Sequence, residues 1–129
     1  MKIHIFYRHY NVHGTDGKNR PFWFDFEKCF LNLLKTIDGE NISLHVVMDG
    51  EVEDNFIYKY KEKYTLHIIK AGNDQESFWQ TWKIARNLSM DNNDLIYFLE
   101  NDYLHVPEWI SVVRELYDTY VNVSYVPLS

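Results

Sequence analysis

Two carboxylates flank one small amide at Glu100-Asn101-Asp102. The triplet follows Leu95-Ile96-Tyr97-Phe98-Leu99, a continuous apolar run of the kind buried on both faces of a parallel sheet. Hard oxygen ligands so placed can share Mg2+ or Mn2+. An ion held there would bridge a diphosphate, neutralise it and stabilise it as a leaving group. The bland alternative is a solvated acidic turn. What lifts the triplet above it is its position at a strand exit, where open α/β sheets bind their ligands.

For these residues to act, a sheet must bring other strand ends beside them. Ile3-His4-Ile5-Phe6-Tyr7 reads as a first strand, followed by a polar loop from His9 to Arg20. Pro21 suits the first turn of a helix, and Phe22, Phe26, Phe30, Leu33, Leu34 and Ile37 recur behind it at helical spacing until Asp38-Gly39. Leu44 to Met48 is a second strand, Asp54 to Lys63 a charged aromatic helix candidate, and Leu66 to Ile69 a third strand. Asn73 and Glu76 have capping-box spacing ahead of a helix carrying Phe78, Trp82, Ala85 and Leu88. Pro107 opens a further helix with Trp109, Ile110, Val113, Leu116 and Tyr117, and Val123 to Val126 reads as a last strand.

Strand and helix thus alternate, which predicts a single Rossmann-like α/β domain over 1–129 with a mostly parallel sheet flanked by helices. In such a sheet the residues after Tyr7, Met48, Lys70 and Leu99 converge on one edge. They are Arg8, His9, Tyr10 and Asn11; Asp49; Gly72, Asn73 and Asp74; and Glu100, Asn101 and Asp102. An aromatic ring with a carboxylate can hold a nucleobase by stacking and by accepting its imino proton, and Arg8 can meet a phosphate.

Bulk composition agrees with a compact domain. The chain has 129 residues, 46% of them hydrophobic and 17% aromatic, which suits one packed core and argues against disorder. A net charge of −6 argues against a general nucleic-acid binder, whose phosphate contacts need a basic face. An acidic chain can still bind a phosphorylated ligand when a cation supplies the local charge. One cysteine, Cys29, allows no intrachain disulfide and fits a reducing compartment. No basic segment leads into a long apolar stretch, so neither a signal peptide nor a membrane span is expected, and the expected location is the cytoplasm.

The run from Tyr97 to Trp109 resembles the strand, D-x-D-type motif and proline-started helix of family-2-like glycosyltransferases of the GT-A fold. Arg8-His9-Tyr10-Asn11 is similar to the nucleotide loop of that group, and Val46-Val47-Met48-Asp49-Gly50 to its second strand with a base-binding aspartate. Gly72-Asn73 falls where such enzymes carry a small polar turn near the donor. The resemblance covers nearly the whole chain but only the nucleotide-binding half of a usual member. It implies a UDP-sugar donor such as UDP-glucose and a Mn2+ or Mg2+ cofactor. Asp102 would be the principal metal ligand, with Glu100 acting through water or on the ribose. Asp49 would hydrogen-bond the uracil, Tyr7 or Tyr10 would line its pocket, and Arg8 would touch base or phosphate. Ser77 and Gln80 are further donor-pocket candidates. Asn101 departs from the acid often found at the centre of the motif.

Inverting members take their general base from the downstream half, so no catalytic base is assigned and the acceptor is left open. The rival readings are a non-catalytic nucleotide-sugar-binding module and, less well supported, a nucleotidyltransferase. The latter would want a glycine-rich basic loop after the first strand, where this chain has single glycines at Gly14 and Gly17 with Lys18 and Arg20. His105, three residues after Asp102, is a candidate to complete the cation shell, although nitrogen is a less natural ligand for magnesium. His4, His45 and His67 sit in strand-like runs and read as structural. Trp79 and Trp82 read as core or subunit contact, and an exposed Phe22-Trp23-Phe24 cluster would favour a homo-oligomer.

Overall fold

The computed structural model describes residues 1–10 and 20–119. Val123 to Val126 and most of the loop from His9 to Arg20 lie outside the described residues. Among the described residues four strands form one all-parallel sheet: β1 (Ile3–Tyr10), β2 (Ile42–Asp49), β3 (Thr65–Ile69) and β4 (Leu95–Glu100). Their spatial order is β3-β2-β1-β4. Three α-helices accompany them: α1 (Phe26–Ile37), α2 (Asp74–Asn87) and α3 (Trp109–Thr119), with a 3-10 helix over Phe56–Lys63. The α/β architecture expected from the alternation is present.

Strand alternation sorts the side chains of β1 onto two cores. Ile3, Ile5 and Tyr7 pack with Phe30 and Leu33 of α1, Ile57 of the 3-10 helix and Ile110 of α3. Phe6 faces the other way, in a smaller core with Val47, Ile69 and Ala85 of α2. Tyr7 meets Phe30 edge-on at 5.1 Å, and the Trp109 indole donates to Thr36 Oγ1 at 2.9 Å, tying α3 to α1. The strand histidines are structural. His4 Nε2 pairs with Asp94 Oδ2 at 2.8 Å, and His45 stacks on Phe6 while its Nδ1 meets His67 Nε2 at 2.9 Å.

Several expected boundaries move. The first helix begins at Phe26, because the Asp25 carboxylate accepts from the Glu27 amide and caps it there. Pro21 instead opens a turn in which its carbonyl accepts from Phe24, and Phe22 is fully exposed. The segment after Asp54 is a 3-10 helix broken at Tyr60, since Ile57 is its one buried residue and too little apolar surface holds a longer α-helix down. The run Leu95 to Leu99, expected to be covered on both faces, is the outermost of the described strands on its side and only Leu99 is buried. The strands buried on both faces are β1 and the inner part of β2. The last helix starts at Trp109, two residues after Pro107. Among the described residues no helix is long and apolar enough to cross a membrane.

Candidate functional site

In-register pairing brings the strand ends level. Tyr10 lies opposite Asp49, Asp49 opposite Ile69, and Arg8 opposite Glu100. The chain builds outward from β1 through β2 to β3 and then returns to the other side of β1 for β4. Between β1 and β4 successive connections diverge, and a parallel sheet opens a crevice there. A cleft of about 570 Å³ occupies this edge, within the usual range of small-ligand pockets, roughly 300–1,000 Å³. β1 contributes Arg8, His9 and Tyr10, β2 contributes Asp49, and the β4 exit contributes Glu100, Asn101 and Asp102. The fourth wall is the turn into α2 with Gly72, Asn73, Asp74 and Ser77.

That fourth wall is fixed by short-range hydrogen bonds. Gly72 has φ +80°, a left-handed backbone that glycine adopts without penalty. Its amide donates to Asp49 Oδ2 and that of Ala71 to Asp49 Oδ1, both at 3.1 Å. Asp49 thus pins the β3–α2 turn to the end of β2, with one lone pair of each oxygen already used. Asn73 accepts from the Glu76 amide at 2.8 Å and caps α2, as the capping-box spacing predicts.

Charge in the cleft is arranged in alternating pairs. Arg8 Nη2 donates to Glu100 Oε1 at 2.7 Å and Nη1 to Asp74 Oδ1 at 3.1 Å. Its guanidinium lies 5.5 Å from the centre of the Phe78 ring. Arg20 Nη1 donates to Asp102 Oδ2 at 3.1 Å while its guanidinium lies over Phe24 at 4.3 Å. Each acid of the Glu100-Asn101-Asp102 turn therefore faces its own arginine, one from β1 and one from the segment ahead of α1.

The middle residue of the turn points inward. Asn101 Nδ2 donates to His9 Nδ1 at 2.9 Å, which leaves Nε2 of the neutral ring to donate to Asn55 Oδ1 at 2.9 Å. Asn55 Oδ1 also accepts from the Ile57 amide, capping the 3-10 helix. His9 is only 2% exposed. Burial lowers its pKa to about 4, outweighing the upward pull of the Asn55 hydrogen bond. Tyr7 donates to the Asn101 carbonyl at 3.3 Å from beneath the cleft, and burial raises its hydroxyl pKa. Asn101 is thus a fastener between β4, β1 and the 3-10 helix.

Of the residues singled out in the sequence, Arg8, Tyr10, Asp49, Gly72, Asn73, Ser77, Glu100, Asn101 and Asp102 come together in the cleft. Three do not line it. Tyr7 is buried below. Gln80 lies on α2 with its amide donating to the Lys70 carbonyl and Glu76. His105 turns away: Nε2 meets the Tyr97 hydroxyl at 2.9 Å, and its ring packs at 5.0 Å from that of Trp109. The roles of Asp74, Arg20 and Asn55 were not legible from spacing, because each acts through a partner 46 to 82 residues away.

Among the described residues no three His, Cys, Asp or Glu side chains gather into an ion-binding group. Magnesium-type ions, however, are commonly held by one or two carboxylates together with substrate phosphates. Glu100 and Asp102 fit that chemistry as oxygen donors on one turn, provided that their arginines give way.

No protein-family model matches the chain, and no curated protein matches it. Among solved structures the fold is similar to that of S. aureus TarS 1-349, with a TM-score of 0.59 and 18% sequence identity. The likeness covers 98% of this chain and 38% of the TarS chain, so the present sequence spans well under half the length of that structure. It shows the fold: an α/β domain of GT-A-like type.

Proposed function

We propose that this chain binds a nucleoside diphosphate sugar, with UDP-glucose as the first candidate, together with Mn2+ or Mg2+, as the donor half of a glycosyltransferase. One observation carries the reading: polar residues from four separate strand exits meet in a single cleft at the switch point of a GT-A-like sheet. The motif resemblance of Glu100-Asn101-Asp102 supports it, as does a cleft that contains both carboxylates for a cation and Arg8 for phosphate, with Arg20 paired to Asp102. In this reading Glu100 and Asp102 would hold the ion, Arg8 and Arg20 would meet phosphate oxygens, and Tyr10 would stack on the base. The ion's contribution, when bound, is to neutralise the diphosphate and ease its departure.

The test is calorimetric titration with UDP and UDP-glucose, with and without Mn2+. Binding of both that depends on the metal, and is lost in Asp102→Ala with the fold retained, is the expected outcome. Unchanged affinity in that variant, or no binding to either nucleotide, refutes the assignment. A second reading, a non-catalytic binding module, is favoured by one specific feature. Among the described residues every carboxylate in the cleft is engaged by an arginine or a backbone amide, and His9 is held neutral with both ring nitrogens in hydrogen bonds. Release of free glucose from UDP-glucose over time separates the two: a transferase half hydrolyses its donor slowly, and a binding module does not.

A further inference from the structure

Helix α2 buries Thr81 and Ala85 on its inner face and leaves large aromatic side chains on the outer one. Phe78 is 42% and Trp79 47% exposed, and Trp82 is only partly buried. The two indoles stack at 5.2 Å, with the Lys83 ammonium 5.3 Å from the centre of the Trp79 ring and the Arg86 guanidinium 5.5 Å from that of Trp82. Both cations are exposed, and among the described residues neither is in an ion pair. Glu76, at the other end of the helix, is exposed too and accepts only from Gln80.

Along α2 these charges are ordered by sign. Asp74 and Glu76 stand in the first turn, and Lys83 and Arg86 toward the end. A membrane or nucleic-acid surface, negative throughout, would gain at the basic end and lose at the acidic one. A second α2 running the opposite way gains at both. Gln75, Trp79, Trp82 and Arg86 follow at steps of four, three and four residues, the spacing of a seam between two helices. Glu76 and Lys83, seven residues apart, flank that seam on the same edge. A two-fold axis beside Trp79 reverses the second helix and keeps that edge in line, as an isologous contact requires. We propose that two copies of this chain associate through antiparallel α2 helices, Glu76 of each facing Lys83 of the other, with the tryptophans closed between them. Arg86 of the second copy then stands near Asp74, whose carboxylate is 86% exposed although Arg8 holds one oxygen. Covering the indoles supplies the apolar gain and the crossed charges set the direction. A helix of 14 residues is only about 21 Å long, so the contact lies at the small, reversible end of the interface range.

The experiment is sedimentation velocity of the full chain from micromolar to submillimolar concentration, at low and at high salt. The unaltered chain is expected to form a reversible dimer that weakens as salt screens the crossed pairs. Lys83→Glu sets like charges together at both symmetric contacts and should weaken the dimer about tenfold, as should Glu76→Lys. Glu76→Lys combined with Lys83→Glu restores opposite charges in the swapped sense and should recover most of the affinity. Trp79→Ala, at the centre of the seam, should weaken association by at least about tenfold. Far-UV circular dichroism checks that each variant keeps its helices, and where one does not, the salt series on the unaltered chain carries the test. A chain that stays monomeric throughout overturns the proposal, as does a dimer that high salt leaves unchanged or strengthens. A dimer untouched by the single variants belongs to another surface, such as Phe22 and Trp23, and overturns it as well. Single variants that weaken the dimer without rescue by the combined one overturn the antiparallel pairing.

Discussion

Acid should loosen this fold through His9 before it reaches the carboxylates. The ring is buried, accepts from Asn101 at one nitrogen and donates to Asn55 at the other, so the neutral form is the one that fits. Its pKa is lowered from 6.5 to about 4 in the folded chain, while the unfolded chain binds the proton near the ordinary value. Between these limits the unfolded state carries more protons, so stability falls as pH falls through that window. At about 1.4 kcal/mol per pH unit, His9 alone removes about 3 kcal/mol between pH 6.5 and 4. Burial also lowers His45 to about 4, helped by the charges of His67, His4 and Lys2, so the total loss is larger. The His9→Gln variant isolates the His9 share. It should be less stable than the parent at pH 7 by about 1–3 kcal/mol, for one buried amide left unsatisfied. Its stability should fall less steeply with acid, by about 3 kcal/mol over the same window, so the two curves converge near pH 4. Urea denaturation at half-unit steps from pH 7 to 4 reads this directly. Parallel curves for parent and variant would refute the account of His9 as a buried neutral base. Asp94 and Glu27, whose carboxyls are lowered chiefly by hydrogen bonds to His4 and to Lys59 respectively, lose their contribution only below the ordinary carboxylate range.

Asn101→Asp places a carboxylate against His9 Nδ1 and should force a proton onto the ring, raising the His9 titration midpoint by at least about one pH unit in imidazole NMR; an unmoved midpoint contradicts the network. Gly72→Ala meets no atom within 4 Å of its new Cβ, so it should cost only the left-handed backbone penalty, about 1–2 kcal/mol in thermal unfolding. Asn73→Ala should cost about 1 kcal/mol through loss of the α2 cap, and Phe30→Ala, at the centre of the larger core, about 3–5 kcal/mol by denaturation. Trp79 and Trp82 stack at 5.2 Å with their planes 6° apart on a partly exposed helix face. Trp79→Ala should therefore abolish an exciton couplet in circular dichroism while costing no more than about 1.5 kcal/mol of stability.

The fold was largely readable because its signals are local. Apolar runs, the cap at Asn73 and the stop at Asp38-Gly39 each declare an element within a few residues. The cleft was readable at the same level, since a parallel sheet fixes which strand ends meet. What could not be read is which polar residues are spoken for. Glu100 and Asp102 look like free ligands in the sequence, and only the fold reveals Arg8 and Arg20 lying against them. His105 stands at a plausible spacing from Asp102, yet the rings of Tyr97 and Trp109 draw it away. Leu95 to Leu99 reads as doubly covered because apolar content reports burial without saying how many neighbours supply it. Pro21 reads as a helix start, but the Asp25 carboxylate, accepting from the Glu27 amide, sets the start at Phe26.

The two faces of the sheet are unequally secured, and this bears on how the cleft opens. On one side α1, α3 and the 3-10 helix share a core of a dozen buried residues, and Asn101 is bolted into that side through His9 and Asn55. On the other, α2 rests on the small cluster of Phe6, Val47, Ile69 and Ala85. Regions with fewer buried contacts open at lower free energy. Amide exchange should accordingly be faster in α2 than in α1. The acidic turn behaves as the anvil of the site, and the α2 wall, carrying Asn73, Asp74 and Ser77, as the jaw that gives.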